Sequence, residues 1–188
     1  MRTASIERKT SETNNKVTLC LDGGEIKIST GNGFLDHMLN QLAFHAGWGM
    51  TVTACGDTPT GMHHTMEDIG LVIGETLKTA LGDRVGIRRY GWTIIPMDES
   101  ISTVSVDISG RCCFCGSLPV ETVNGIGRED FEEFWRAFCR SANITLHIKS
   151  EGQNSHHMVE SAFKAAGMAL QKAATISGDC IKSTKGRL

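Results

Sequence analysis

No stretch of the 188 residues approaches the roughly 20 consecutive apolar positions that a membrane-spanning helix requires. The N-terminal run MRTASIERKTSETNNK has no apolar segment that could serve as a secretory leader. A soluble, cytoplasmic protein without a membrane partner is expected. Excess charge of one sign is missing too: 19 Lys and Arg face 21 Asp and Glu, a net charge of −2. That balance lacks the basic footprint of a nucleic-acid binder, so no nucleic-acid partner is expected, and 21% charged residues do not make a disordered chain. Paired CxxC motifs are also absent. The seven cysteines are scattered except for Cys112-Cys113-Phe114-Cys115, and no partner pair or matched histidines accompany that cluster. A structural zinc site is therefore not implied, and the cysteines are expected as buried thiols in a reducing compartment. With no Pro/Gly/Ser-rich linker and 40% hydrophobic residues, the chain should fill one core.

What is present is an internal repeat. His63-His64-Thr65-Met66-Glu67 and His156-His157-Met158-Val159-Glu160 share the pattern HHxxE, and each opens a segment of helical apolar periodicity. Upstream of each lies a strand-like run, Met50 to Cys55 and Ile144 to Ile148, preceded by an amphipathic helix, about 33–45 and 129–142. Extended segments at 16–22 and 25–30 precede the first helix, and 100–109 and 112–118 precede the second. The expected fold is α+β, an internal duplication of two ββαβα-type units over 1–90 and 91–188, with helices packed between mixed sheets in one domain.

On a helix, residues three and four apart share a face, so His63, His64 and Glu67 lie together, as do His156, His157 and Glu160. Adjacent positions differ by about 100°, so neighbouring histidines suit two different ions. Aligning the halves through the two strand runs, with a two-residue gap around Gly47-Trp48, sets His37 opposite Glu133 and Thr53 opposite His147. The metal-ligand set is then His37, His63, His64, Glu67, Glu133, His156, His157 and Glu160. His147 is the alternative to Glu133. Eight nitrogen and oxygen ligands, four per ion, leave two open positions on each octahedral metal and fit a pair of Mn²⁺ ions better than closed zinc. The order is not HExxH, so zinc-peptidase chemistry is not implied.

Basic residues interrupt apolar or turn-like segments at Arg89, Arg111, Lys164 and Lys185. Lys164 stands four residues after Glu160, on the metal-facing side of its helix. Cations beside a metal pair suit an anionic, phosphorylated substrate. The tail Ser183-Thr184-Lys185-Gly186 adds hydroxyls and a backbone able to close on that anion.

The motifs RKTSET (8–13), GNGFLDHMLNQLAFH (31–45), HHTMEDIG (63–70), GIRRYG (86–91), PMDES (96–100), DISGR (107–111), TLHI (145–148), GQNSHHMVESAFKA (152–165) and STKG (183–186) occur in this order. With them the sequence resembles the imidazoleglycerol-phosphate dehydratases of histidine biosynthesis over nearly its whole length. The resemblance implies two Mn²⁺ per site, with sites at contacts between subunits of trimers that assemble into a 24-mer. It implies dehydration of D-erythro-imidazole-glycerol phosphate to imidazole-acetol phosphate. It also implies that Glu12 and His45 act in catalysis and that Gln41, Arg89, Arg111, Lys164, Ser183 and Lys185 contact the substrate. Three positions depart from the family pattern: the loop Gly56 to Met62 lacks the usual acidic pair, Glu133 stands where some members have histidine, and Lys182 replaces a usual proline. Two other readings of these residues are a metal-binding relative without activity and a binuclear phosphoester hydrolase. Glu12 and the four basic residues disfavour the first, and the scarcity of Asp in the ligand set disfavours the second.

Overall fold

The computed structural model describes residues 1–56 and 61–188. Strands β1 (Thr3–Lys9), β2 (Thr13–Cys20), β3 (Ile26–Ser29) and β4 (Gly49–Gly56) form one sheet in the order β1-β2-β4-β3. Strands β5 (Tyr90–Met97), β6 (Ser100–Asp107), β7 (Cys113–Ser117) and β8 (Thr145–Glu151) form the other in the order β5-β6-β8-β7. In each sheet the two longer pairings are antiparallel and the short third strand joins in parallel. Helix α1 (Gly33–Ala46) precedes β4 and α2 (His63–Leu81) follows it; α3 (Arg128–Ala142) and α4 (Ser155–Ala174) flank β8 in the same way. The α+β duplication is thus the observed architecture. Each unit carries one strand more than the ββαβα pattern, β1 and β5, and reads βββαβα.

The helices fill the space between the sheets. α2 rests on the first sheet and α4 on the second, while α1 packs on α4 and α3 on α2. Two helix crossings are close because glycine leaves out a side chain. A Cβ on Gly167 of α4 would overlap the Leu42 carbonyl oxygen of α1 and lie 3.1 Å from Ala46 N. On Gly74 of α2 it would overlap the Phe138 carbonyl oxygen of α3 and lie 3.0 Å from Ala142 N. Between the crossings, Phe131, Phe134, Trp135, Phe138 and Phe163 of the second half form a buried aromatic cluster, and Phe34 of the first half meets Phe131 edge-on, so both halves share one core.

The matched crossings fix the internal alignment. Leu35, Met38, Leu39, Leu42 and Ala46 of α1 have the buried counterparts Phe131, Phe134, Trp135, Phe138 and Ala142 of α3, which sets His37 against Glu133. The sheet registers then place Thr51, not Thr53, at the position of His147, since Gly49 and Thr145 occupy equivalent ends of β4 and β8. No gap falls at Gly47-Trp48. The length difference lies between β4 and α2, where the first unit has the longer connection.

The thiols correct a second expectation. Cys139 is buried and Cys20 half-buried, but Cys55, Cys112, Cys113, Cys115 and Cys180 are exposed. Three of these belong to β7 and its approach, and β7 is an edge strand that lends little area to the core.

Candidate active site

The N-terminal turn of α4 meets the first turns of α1. Asn32 caps α1, its side-chain oxygen accepting from Phe34 N at 3.0 Å and Leu35 N at 3.1 Å, and Asn154 caps α4 in the same way through His156 N at 2.9 Å. His37 Nε2 lies 3.2 Å and His156 Nε2 3.1 Å from the same oxygen of Glu160. These three residues each offer a ligand atom within 4.8 Å of the others. Glu160 is buried, and its other oxygen receives Lys164 Nζ at 2.7 Å. Burial pushes the Glu160 carboxyl up, but the Lys164 ammonium and His37 outweigh it and hold the group below its ordinary value. Gln41 and His45 follow His37 at four-residue steps along α1 and extend the same face. Partial burial, reinforced by the Lys164 charge, pushes the His45 imidazole down.

His157 turns away from this cluster, as one further residue on a helix requires. Its Nδ1 lies 2.9 Å from Glu99 Oε2, and Asp98 Oδ2 is 3.9 Å from its Nε2. Glu99 is held further by Ser100 Oγ at 2.8 Å and Asn154 N at 3.0 Å. His157 above all, then Ser100, bring the Glu99 carboxyl down to about 2.

The other donors lie on the pair formed by α2 of the first unit and α3 of the second. His64 Nδ1 stands 3.7 Å from Glu12 Oε2 in the β1–β2 turn, and His63 Nδ1 3.7 Å from Asp130 Oδ1. Glu67 receives Arg140 at 2.7 Å and Glu133 receives Arg136 at 3.5 Å. Among the described residues, no three donors of the α2–α3 pair close as His37, His156 and Glu160 do. Within one chain the eight predicted ligands therefore belong to two helix pairs, α1–α4 and α2–α3.

The basic residues divide likewise. Lys164 belongs to the Glu160 cluster. Arg89, in a left-handed backbone conformation (φ 72°), donates from Nε to Asp107 at 2.7 Å and from Nη1 to the Lys182 carbonyl at 2.7 Å. The Asp107 carboxylate raises the Arg89 pKa further by accepting its hydrogen bonds. Arg111 approaches the same carboxylate at 3.7 Å. The tail turns at Ser183, which accepts Lys185 N at 3.2 Å on Oγ and Gly186 N at 3.0 Å on its carbonyl, with Thr184 between. Arg89 and Arg111 thus share a carboxylate, and Arg89 ties the segment leading to Ser183–Lys185.

His147 stands apart. It is exposed on the outer face of the second sheet, in register with Ser105 and Cys115, while the helices carrying the other donors cover the inner face. Asp57 to Thr60, most of the loop with the altered acidic pattern, lie outside the described residues. Sequence reasoning missed Asp107, Asp130, Arg140 and Glu99. For Glu99 a signal existed, because it immediately precedes β6 as Glu12 immediately precedes β2.

The donors fit a hard or borderline divalent ion. Two imidazoles and a buried carboxylate converge without thiolate, and three ligands leave coordination positions open.

The profile of the family described as "Imidazoleglycerol-phosphate dehydratase" matches residues 30–170. The imidazoleglycerol-phosphate dehydratase of Granulibacter bethesdensis is 46% identical, covering 100% of this chain and 99% of its own length. That of Clostridioides difficile is 45% identical with 100% of both chains covered. Among solved structures, the Pyrococcus furiosus enzyme superposes with a TM-score of 0.86 at 37% identity, over 97% of this chain and 100% of its own. The Staphylococcus aureus enzyme gives a TM-score of 0.84 at 39% identity, over 93% and 99%. On matches of this extent, the chain belongs to the imidazoleglycerol-phosphate dehydratase family.

Proposed function

We propose that this chain performs its family's reaction as a carbon–oxygen hydro-lyase of L-histidine biosynthesis. It dehydrates D-erythro-1-(imidazol-4-yl)glycerol 3-phosphate to 3-(imidazol-4-yl)-2-oxopropyl phosphate and water, with two Mn²⁺ per site. The observation that carries the metal reading is the convergence of His37 and His156 on the buried Glu160 carboxylate, with Lys164 beside it. His63, His64, Glu67, Glu133 and His157 complete the ligand set, the two repeats working as one domain.

The hydrogen to be removed lies on a carbon with no neighbouring carbonyl, so a side-chain base alone faces a poor acid. When bound, Mn²⁺ supplies stabilisation of negative charge on the substrate's imidazole. The ring gives up its N–H proton and expels the hydroxyl on the adjacent carbon, which leaves with a proton as water. Glu12 then takes the C2 proton as general base, a ring nitrogen regains a proton, and the neutral enol tautomerises to the ketone. Glu12 suits this task because it is more than half exposed in a turn and meets the HHxxE helix at 3.7 Å. His45, its imidazole pushed below its ordinary value by partial burial and the Lys164 charge, is placed to pass a proton at the other end of the α1 face. Arg89, Arg111, Lys164, Ser183, Thr184 and Lys185 bind the phosphate and hold the reacting carbons in place.

Ligands divided between two helix pairs support a homo-oligomer, a 24-mer of trimers with sites between subunits. The outer face of the second sheet supports it too: Trp92 (68% exposed), Ile94 (59%) and Ile101 (42%) lie there, while Lys16, Thr51 and Thr53 occupy the first sheet's outer face. The cytoplasm is the proposed location; no helix among the described residues is long and apolar enough to cross a membrane. The test is Glu12→Gln, which should abolish turnover while leaving bound Mn²⁺ unchanged. Loss of metal instead would remove Glu12 from the role of base.

A further inference from the structure

The two units place a carboxylate at the same point of their first hairpin, and they use it differently. Glu12 immediately precedes β2 and faces His64; Glu99 immediately precedes β6 and faces His157. Each histidine is the second of its HHxxE pair. The Glu12 oxygen stays 3.7 Å from His64 Nδ1, beyond hydrogen-bond length, and its carboxylate is 55% exposed. Glu99 Oε2 lies 2.9 Å from His157 Nδ1, while Glu99 Oε1 accepts from Ser100 Oγ at 2.8 Å and Asn154 N at 3.0 Å. Asn154 is also the cap of α4, so one carboxylate joins the hairpin, the start of the helix and the imidazole.

We propose that Glu99 is a positioning residue for the metal site: its carboxylate accepts the Nδ1 proton of His157, fixes the ring's tautomer and orientation, and leaves Nε2 unprotonated to bind the ion. The duplicated turn has then taken two roles, a fixed acceptor in the second unit and a base free to move a proton in the first. A histidine ligand whose other nitrogen donates to a carboxylate is a stronger and better oriented ligand, and loss of the carboxylate typically lowers metal affinity about 10–100-fold. Asp98, 79% exposed and 3.9 Å from Nε2, is too distant to occupy that nitrogen with a hydrogen bond. The inference rests on reading His157 as a ligand.

Glu99→Gln separates positioning from scaffolding. Its amide oxygen keeps both bonds made by Oε1, but its NH₂ group then faces His157 Nδ1. The ring is driven to carry its proton on Nε2, the nitrogen the metal needs. Mn²⁺ binding to chelator-stripped full-length protein, with free Mn²⁺ followed by electron paramagnetic resonance, is compared for wild type, Glu99→Gln and His157→Ala, alongside their metal-free melting temperatures. The expected result is that His157→Ala loses one class of sites, and that Glu99→Gln weakens the same class about 10–100-fold at unchanged melting temperature while the other class keeps wild-type affinity. Wild-type binding in Glu99→Gln, with one class lost in His157→Ala, overturns the role of Glu99 and leaves the ligand set standing. Wild-type binding in His157→Ala overturns both.

Discussion

Replacing Gly167 with alanine tests the crossing on which the His37–His156–Glu160 cluster depends. The new Cβ would overlap the Leu42 carbonyl oxygen and lie 3.1 Å from Ala46 N, so it meets backbone that no rotamer change can move aside. Restoring ordinary contact requires α1 and α4 to part by about 1 Å. Over-packing of this kind costs ~1–3 kcal/mol, here near the upper end, and the better helix propensity of alanine returns ~1 kcal/mol. The net loss of ~2 kcal/mol, at ~2–4 °C per kcal/mol for a chain of this size, lowers the melting temperature by about 4–8 °C. Gly33→Ala is the control, because it lies in the first turn of α1 with open space at its Cβ, and it should be neutral or slightly stabilising. Scanning calorimetry of the metal-free proteins decides the matter, and Gly74→Ala should repeat the Gly167 result at the α2–α3 crossing. A Gly167→Ala protein as stable as Gly33→Ala would refute the close crossing. Parted helices should also weaken Mn²⁺ binding, because His37 sits on one helix and Glu160 on the other.

Other consequences can be measured separately. The folded His45 is pushed below its ordinary value of about 6.5, so its contribution to stability is complete above that value and is lost as pH falls through the folded one. The metal-free melting temperature should fall as pH drops from above about 6.5 through the lowered folded value, and less so in His45→Gln; equal slopes would remove His45 from that dependence. Arg84, buried with φ 62°, donates to the Ala142 carbonyl at the end of α3. Arg84→Met should cost ~1–3 kcal/mol, seen as a lower urea midpoint at constant slope, and an unmoved midpoint would exclude the contact as stabilising. Burial pushes the Cys139 thiol up, so it should resist an aromatic disulfide reagent until the chain is unfolded; rapid native labelling of Cys139 would contradict its burial.

The sequence carried most of this structure wherever periodicity and burial coincide. Residues 33–45 alternate apolar and polar positions with helical period, and α1 ends one residue later at Ala46, where Gly47 adopts the left-handed conformation. Residues 100–107 alternate in burial because only one face of β6 meets the helices, and Val104 and Val106 carry the apolar signal on that face, whereas Ser100 and Ser102 are buried and Ile101 is exposed. β1 and β5 were illegible for opposite reasons. In β1, Arg8 points inward to an ion pair with Asp68 at 2.6 Å, which breaks the alternation. In β5, the outer positions Trp92 and Ile94 are apolar, so the face exposed in one chain looks like core. The HHxxE pairs marked the donor helices, and the four-residue step from Glu160 to Lys164 gave a real contact. Pairing in space was less visible: nothing local to His157 points to Glu99, which is 58 residues away in sequence and adjacent only through the hairpin. The Thr53 alignment failed because strand residues can slide by two without changing face, whereas the glycine crossings admit a single register.

The most direct test of the account is turnover of imidazole-glycerol phosphate by chelator-stripped protein, with and without added Mn²⁺, following the ketone product and free phosphate together. The account predicts ketone formation only with Mn²⁺ and no release of inorganic phosphate. Ketone formed equally without metal would contradict the metal reading of the histidine and glutamate cluster, and inorganic phosphate in place of ketone would make the protein a phosphoester hydrolase instead of a dehydratase.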